Sequence, residues 1–139
     1  MTFLGRRVLV VEDEFLVSLT TIDLLENIGC EIVGPAARLA AAVQLAQSES
    51  LDAAVLDINI AGEMIWPVAE ELQRRGVPFL FFSAYPQSVV PALFATRPRL
   101  DKPLDKNRLL TDLSAIWGVS ADEAIPMPQL VRSPKRFLP

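Results

Sequence analysis

Short apolar runs rich in β-branched residues alternate along this chain with longer stretches of helical period. The strongest runs occupy residues 8–11, 51–56 and 77–82, and weaker ones lie at 32–33 and near 99–100. Continuous apolar blocks of this length are typical of parallel strands covered on both faces. Because crossovers between parallel strands are right-handed, the alternation predicts an α/β fold with a doubly wound five-stranded parallel sheet.

Helices are expected between these strands. The first opens at three consecutive carboxylates, and four apolar residues behind them approximate one stripe: Leu16, Leu19, Leu24 and Ile28. The other helices are predicted over residues 40–46, 67–76, 89–94 and 105–117. Beyond residue 118 prolines recur and the apolar period ends, so we predict one domain over residues 1–118 and a tail without its own fold over residues 119–139.

Composition removes several classes of function. The chain has no histidine and one cysteine, Cys30, which excludes histidine-dependent triads, histidine-ligated zinc and an internal disulfide. A formal net charge of −4 argues against nucleic-acid binding, since phosphate backbones are held by basic surfaces. No stretch approaches the roughly 20 apolar residues of a membrane span, and no signal-peptide core is visible. We therefore expect a cytoplasmic protein that binds neither nucleic acid nor membrane.

Polar side chains stand directly after four of the predicted strands: Glu12 and Asp13, Asp57, Ser83, and Lys102. The carboxyl ends of parallel strands share one edge of the sheet, where doubly wound folds bind ligands. Clustered carboxylates repel one another unless a cation joins them, and an all-oxygen ligand set indicates Mg²⁺. A nucleophilic carboxylate, a metal, a lysine and a hydroxyl suffice for phosphoryl transfer, which makes Asp57 the predicted nucleophile.

Four motifs at these strand ends resemble the receiver domain of two-component response regulators. They read Val-Leu-Val-Val-Glu-Asp-Glu from residue 8, Leu-Asp-Ile-Asn from 56, Phe-Ser-Ala from 82 and Asp-Lys-Pro-Leu from 101. In order and spacing they extend the resemblance over residues 7 to about 117. The resemblance implies a flavodoxin-like (βα)5 fold with strand order 2-1-3-4-5.

The resemblance also implies roles for the site residues. Asp57 accepts the phosphoryl group, and Mg²⁺ is held by Asp13, Asp57 and the backbone carbonyl of Asn59, with Glu12 acting through water. Lys102 contacts the phosphate through its side chain, and its peptide bond to Pro103 is expected to be cis. Ser83 is the hydroxyl that moves to the phosphate on activation.

A narrower resemblance links residues 78–85 to alphaproteobacterial receivers known for a Phe-Ala-Thr-Gly-Tyr motif, which here has drifted to Phe-Ser-Ala-Tyr. Two departures concern the output mechanism. Receivers usually carry a switch aromatic three residues before the lysine, where this chain has Arg99. Tyr85 is a candidate for a related switch role or for static packing. Ala61 and Gly62 occupy the place where most receivers have a proline, which predicts a more mobile loop.

The sequence therefore predicts a single-domain response regulator. A sensor histidine kinase or a phosphotransfer protein phosphorylates Asp57, and a downstream protein effector reads the change. The protein is expected to be a monomer or a weak homodimer and to catalyse only its own phosphotransfer and dephosphorylation. Three alternatives stay open: a phosphate shuttle or sink, a phosphorylation-independent binding module, and an aspartyl-phosphate phosphatase, for which Asn59 stands where one such family carries a second Asp.

Overall fold

The computed structural model describes residues 3–119, which form a βα succession. Its elements in chain order are β1 (Arg7–Val11), α1 (Phe15–Asn27), β2 (Glu31–Ala36), α2 (Leu39–Ser48), β3 (Ala53–Leu56), β4 (Asn59–Ile60), β5 (Glu63–Met64), α3 (Trp66–Arg74), β6 (Phe79–Ser83), β7 (Arg99–Asp101) and α4 (Lys106–Trp117). Pro67 stands in the first turn of α3, where the missing N–H costs no intrahelical bond. Gly118 ends α4 in a left-handed conformation, with φ of 63°.

Five strands form one parallel sheet in the order β2-β1-β3-β6-β7. Counting only the strands of this sheet, the order is 2-1-3-4-5, which confirms the predicted doubly wound α/β topology. The chain places β2 on one side of β1 and then places β3 on the other side, so the strand order reverses at β1. At such a reversal a crevice opens beyond the carboxyl ends of β1 and β3.

Each face of the sheet carries its own apolar core. On one face, α2 and α3 cover alternate residues of the strands, such as Leu9, Leu56 and Phe81. On the other face, α1 and α4 cover Val10, Val55 and their neighbours on β6 and β7. Burial on both faces explains why β1, β3 and β6 read as continuous apolar runs.

Two sequence predictions about helices are wrong. The segment around residues 89–94 is not a helix but two single 3-10 turns, Gln87–Val89 and Ala92–Phe94. Prolines at 86, 91 and 98 remove backbone donors and prevent a longer helix. The apolar stripe predicted on α1 is only half buried: Leu24 is buried, but Leu16 is 75% exposed. Small polar side chains, Ser18 and Thr21, take the inner positions of the first turns instead.

An aromatic cluster joins α3 to the segment between β6 and β7. The Trp66 ring stacks on Phe94 at a centroid distance of 6.0 Å and meets Phe81 edge-on at 5.8 Å. Phe79 also contacts both Phe81 and Phe94. The 3-10 turn Ala92–Phe94 is therefore anchored in the core although it is too short to be a helix.

The thiol of Cys30 is expected to be unreactive in the folded protein. Burial raises its pKa from 9.0 to about 12, so little thiolate exists near neutral pH. Reaction with a disulfide reagent should be at least about a hundredfold slower in native protein than in denaturant. Because the unfolded thiol ionises first, the free energy of unfolding should fall as the pH rises above about 9. Equal labelling rates in both states would show that the thiol is accessible.

No helix among residues 3–119 is long and apolar enough to cross a membrane. Apart from residue 119, the predicted tail over residues 119–139 lies outside the described part of the chain, and the predicted boundary at residue 118 stays a prediction.

Candidate functional site

The carboxyl ends of β1, β3, β6 and β7 bring the predicted site residues to one edge of the sheet. Glu12 and Asp13 follow β1, Asp57 follows β3, Ser83 ends β6, and Lys102 follows β7. All of them except Glu12 line a cleft of about 260 Å³, whose further lining residues are Glu14, Asn59, Ala84 and Tyr85. The convergence expected from a parallel sheet is thus present in the structure.

Three carboxylates form an acidic cluster, consisting of Glu12, Asp13 and Asp57. One oxygen from each lies within 4.8 Å of the others, a spacing that allows them to hold a metal ion. Glu12 and Asp57 are 4% and 6% exposed, whereas Asp13 lies at the open side. The Ala61 amide donates to Asp13 Oδ2 at 2.9 Å and fixes the outer carboxylate.

The ammonium of Lys102 neutralises part of this cluster. Its Nζ donates to Asp57 Oδ2 at 2.9 Å, to Glu12 Oε2 at 3.0 Å and to Glu14 Oε1 at 3.1 Å. The peptide bond that follows it, to Pro103, is cis in the structure. Lys102 follows the edge strand β7, two strands away from β3, and its side chain reaches Asp57. The nucleophile predicted from sequence therefore has a positive charge beside it.

Burial and neighbouring charges shift two pKa values in the site. Burial raises the pKa of Glu12 to about 7; the hydrogen bond from Lys102 lowers it, and the charge of Asp57 adds to the rise. Burial alone would lower the pKa of Lys102, but its hydrogen bonds to Asp57, Glu12 and Glu14 outweigh burial and hold that pKa above its usual value. Lys102 therefore stays cationic, while Glu12 titrates near neutral pH.

The loop after Asp57 forms a hairpin, and its predicted mobility stays a prediction. Strands β4 and β5 pair antiparallel, and Ala61 and Gly62 form the two-residue turn with φ of 51° and 91°. Positive φ at both turn residues matches the right-handed twist of a hairpin, and glycine adopts it without strain. The Gly62 amide donates to Asn59 Oδ1 at 3.0 Å, which holds the turn closed.

Tyr85 connects three parts of the site. Its amide donates to Ser83 Oγ at 3.1 Å, and its hydroxyl accepts a bond from Asn59 Nδ2 at 3.2 Å. Its carbonyl accepts a bond from Arg99 Nη1 at 2.9 Å. Ser83 lines the cleft but is fully buried, so its hydroxyl has no contact with bulk water.

Comparison with solved structures identifies the family. SdrG from Sphingomonas melonis Fr1 is 34% identical to this chain, with a TM-score of 0.73 over 84% of this chain and 99% of SdrG. The receiver domain of the response regulator PhyR from Erythrobacter litoralis is 28% identical, with a TM-score of 0.72 over 83% of this chain and 92% of that domain. The chain belongs to the response-regulator receiver family.

Two further solved structures share the fold. The receiver domain of a sensor histidine kinase from Pseudomonas aeruginosa PAO1 is 22% identical, with a TM-score of 0.70 over 82% of this chain and 98% of that domain, and it has a magnesium ion coordinated in its active-site cleft. SdrG from Pseudomonas melonis Fr1 in a BeF3-activated conformation is 34% identical, with a TM-score of 0.67 over 79% of this chain and 94% of SdrG. No protein-family model and no curated protein matches the chain.

Within this receiver, one contact of the site was missed by the sequence predictions. The sequence predicts Glu14 only as part of a helix start, yet its carboxylate contacts Lys102 and lines the cleft. The signal available was its place as the third of three consecutive carboxylates after β1. The partners of Arg99 could not be read from sequence, because two of the three are backbone carbonyls.

Proposed function

We propose that this receiver accepts a phosphoryl group on Asp57 from a histidine kinase or a phosphotransfer protein, with Mg²⁺, and signals by binding a downstream protein in the cytoplasm. The observation that carries the proposal is the buried Asp57 carboxylate, hydrogen-bonded at 2.9 Å to the Lys102 ammonium inside the acidic cluster. Family membership supports phosphoryl acceptance in a two-component system. The particular donor and output belong to the proposal.

In the proposed transfer, a carboxylate oxygen of Asp57 attacks the phosphorus of a phosphohistidine. A P–O bond forms as the P–N bond breaks, and the leaving imidazole takes a proton from solvent. Lys102 supplies a fixed positive charge to the phosphoryl oxygens, and Ser83 can supply a hydroxyl donor. No residue must act as a general base, because a carboxylate nucleophile has no proton to give up during the attack.

The acidic cluster fits Mg²⁺ in the chemistry of its donors. The carboxylates of two aspartates and one glutamate offer only oxygen, the ligand type that Mg²⁺ prefers, and the Asn59 carbonyl adds another oxygen. Asp13, Asp57 and the Asn59 carbonyl would hold the ion, with Glu12 acting through water. When bound, the ion supplies positive charge to the transferring phosphoryl oxygens. The magnesium ion in the Pseudomonas aeruginosa receiver supports this assignment.

An exposed apolar surface beside the cleft supports a protein as the phosphoryl donor. Phe15, Leu16 and Leu19 are 72%, 75% and 40% exposed on α1. Leu16 shares a groove with Lys102 and Pro103, so this surface continues to the site edge. Exposed apolar patches rimmed by polar residues are typical of protein contact surfaces. The receiver acts in this proposal as a substrate of its donor and not as an enzyme on other molecules.

The proposal is tested by offering the protein acetyl phosphate, or a phosphorylated histidine kinase, with and without Mg²⁺. The expected product is a Mg²⁺-dependent, base-labile species that migrates slowly in a phosphate-retarding gel. Binding of BeF3⁻, which activates SdrG, provides a second readout. If a folded sample yields no phosphorylated species with any donor and binds no BeF3⁻, the chain is a phosphorylation-independent binding module.

Mg²⁺ binding is expected to weaken as the pH falls through about 7, the pKa of Glu12. Below that pH, Glu12 must release a proton when the cation binds, so the affinity should fall by up to about tenfold per pH unit. Titration calorimetry at several pH values measures the slope. Glu12→Gln is the control and should flatten the slope; an equal slope in both proteins would remove Glu12 from the site.

A further inference from the structure

The loop between β6 and the first 3-10 turn, residues 84–86, is joined by hydrogen bonds to Arg99 on one side and to Asn59 on the other. Arg99 Nη1 donates to the carbonyls of Ser83 and Tyr85 at 3.4 and 2.9 Å, and Nη2 contacts Asp101 Oδ1 at 2.6 Å. The Arg99 side chain is only 14% exposed, although Asp101 is largely open to solvent. Two of these three contacts of the Arg99 guanidinium are therefore with backbone carbonyls at the start of this loop.

On the other side, the loop reaches the cleft through Tyr85. The Tyr85 hydroxyl accepts from Asn59 Nδ2, and the Tyr85 amide donates to the Ser83 hydroxyl. Asn59 lies two residues after Asp57 in the sequence. The hydrogen-bonded chain therefore runs from the cleft, through Tyr85, to Arg99 on β7.

We propose that Arg99 and Tyr85 form a latch that holds loop 84–86 closed in the unphosphorylated protein and couples Asp57 to residues 87–98. Both are positioning residues for the Ser83 hydroxyl, and the inference rests on the proposed function. A phosphoryl group on Asp57 draws Ser83 Oγ towards its oxygens, and the Tyr85 amide then loses its acceptor. The carbonyl that Arg99 holds moves with Tyr85, so the displacement passes to the following segment.

In this latch, the guanidinium of Arg99 takes the place of the switch aromatic that receivers usually carry at this position. A guanidinium can bond several acceptors in fixed directions, and bonds from a charged donor are stronger than neutral ones. An ammonium in its place has the charge but cannot span the two carbonyls and Asp101 in the same geometry. Arg99→Lys should therefore restore little of what Arg99→Gln removes.

The test compares wild type, Arg99→Gln and Arg99→Lys by amide NMR, with two controls. Asp101→Asn removes only the charge of the solvent-exposed partner, and Arg97→Gln changes a neighbouring arginine that bonds Gln73 and covers Phe79. Without ligand, the Tyr85 amide should exchange about tenfold faster in both Arg99 variants, as expected for loss of one charge-assisted bond. Both controls should exchange within about twofold of wild type.

With BeF3⁻ as the phosphoryl mimic, wild type should show shifts both at Ile58, beside Asp57, and at Val89 and Phe94. In the Arg99 variants, the shift at Ile58 should persist while those at Val89 and Phe94 fall to less than half. Unchanged exchange and unchanged shifts in both variants would overturn the latch. If wild type binds no BeF3⁻ at all, the proposed function fails, and the coupling step fails with it.

Discussion

Replacing Asp57 by asparagine is expected to abolish phosphorylation of the protein. The amide cannot form an acyl phosphate, so labelling from acetyl phosphate or from a phosphorylated kinase should fall below about 1% of wild type. The buried side chain keeps its size and can still accept a bond from Lys102, so the fold should survive. Labelling is measured on a phosphate-retarding gel and confirmed by intact mass.

A matched control for this variant is Asp101→Asn, which makes the same change at the end of the edge strand β7. That side chain is 77% exposed and lies outside the cleft lining, so labelling should stay near the wild-type level. Persistent labelling of Asp57→Asn would place the acceptor on another carboxylate or on a hydroxyl. Peptide mapping of the modified chain would then identify it.

Replacing Lys102 by methionine is expected to destabilise the protein by about 3 kcal/mol without divalent cations, because removing one partner of a buried ion pair leaves the other charges unpaired. Glu12 and Asp57 are 3% and 8% exposed in their side chains, so neither can regain full hydration. The experiment is chemical denaturation at a pH well above the Glu12 pKa of about 7, because removal of the Lys102 hydrogen bond raises that pKa further.

Millimolar Mg²⁺ should restore more than half of that loss, since a bound cation can replace the ammonium as counter-charge. Lys106→Met is the control: the same substitution at an exposed position at the start of α4 should change the free energy of unfolding by less than about 0.5 kcal/mol. If Lys102→Met unfolds like wild type in chelator, the carboxylates do not depend on Lys102 for neutralisation.

Sequence reasoning predicted the sheet well because its signals are local and strong. Strands buried on both faces read as apolar runs, and parallel topology then places their carboxyl ends together. The same rule brought Asp57 and Lys102 to one site although they are far apart in the chain.

Features set by tertiary contacts were beyond sequence reasoning. Leu16 and Leu19 obey the helical period of α1, yet the core needs only part of that face, so both stay exposed. The hairpin at Ala61 and Gly62 has strands of two residues each, too short for any periodic signal. Arg99 was recognised as a departure, but its backbone partners carry no sequence signature.

The aromatic cluster gives the protein a built-in optical probe. Trp66 stacks on Phe94, in the segment that follows loop 84–86, and contacts Phe81, two residues before Ser83. Indole emission depends on its immediate surroundings, so movement of Phe94 changes the fluorescence of Trp66 without an attached dye. Trp117 packs against Phe3 in the opposite core and would mask part of this signal. A Trp117→Phe protein would therefore allow stopped-flow measurement of events at the loop in real time.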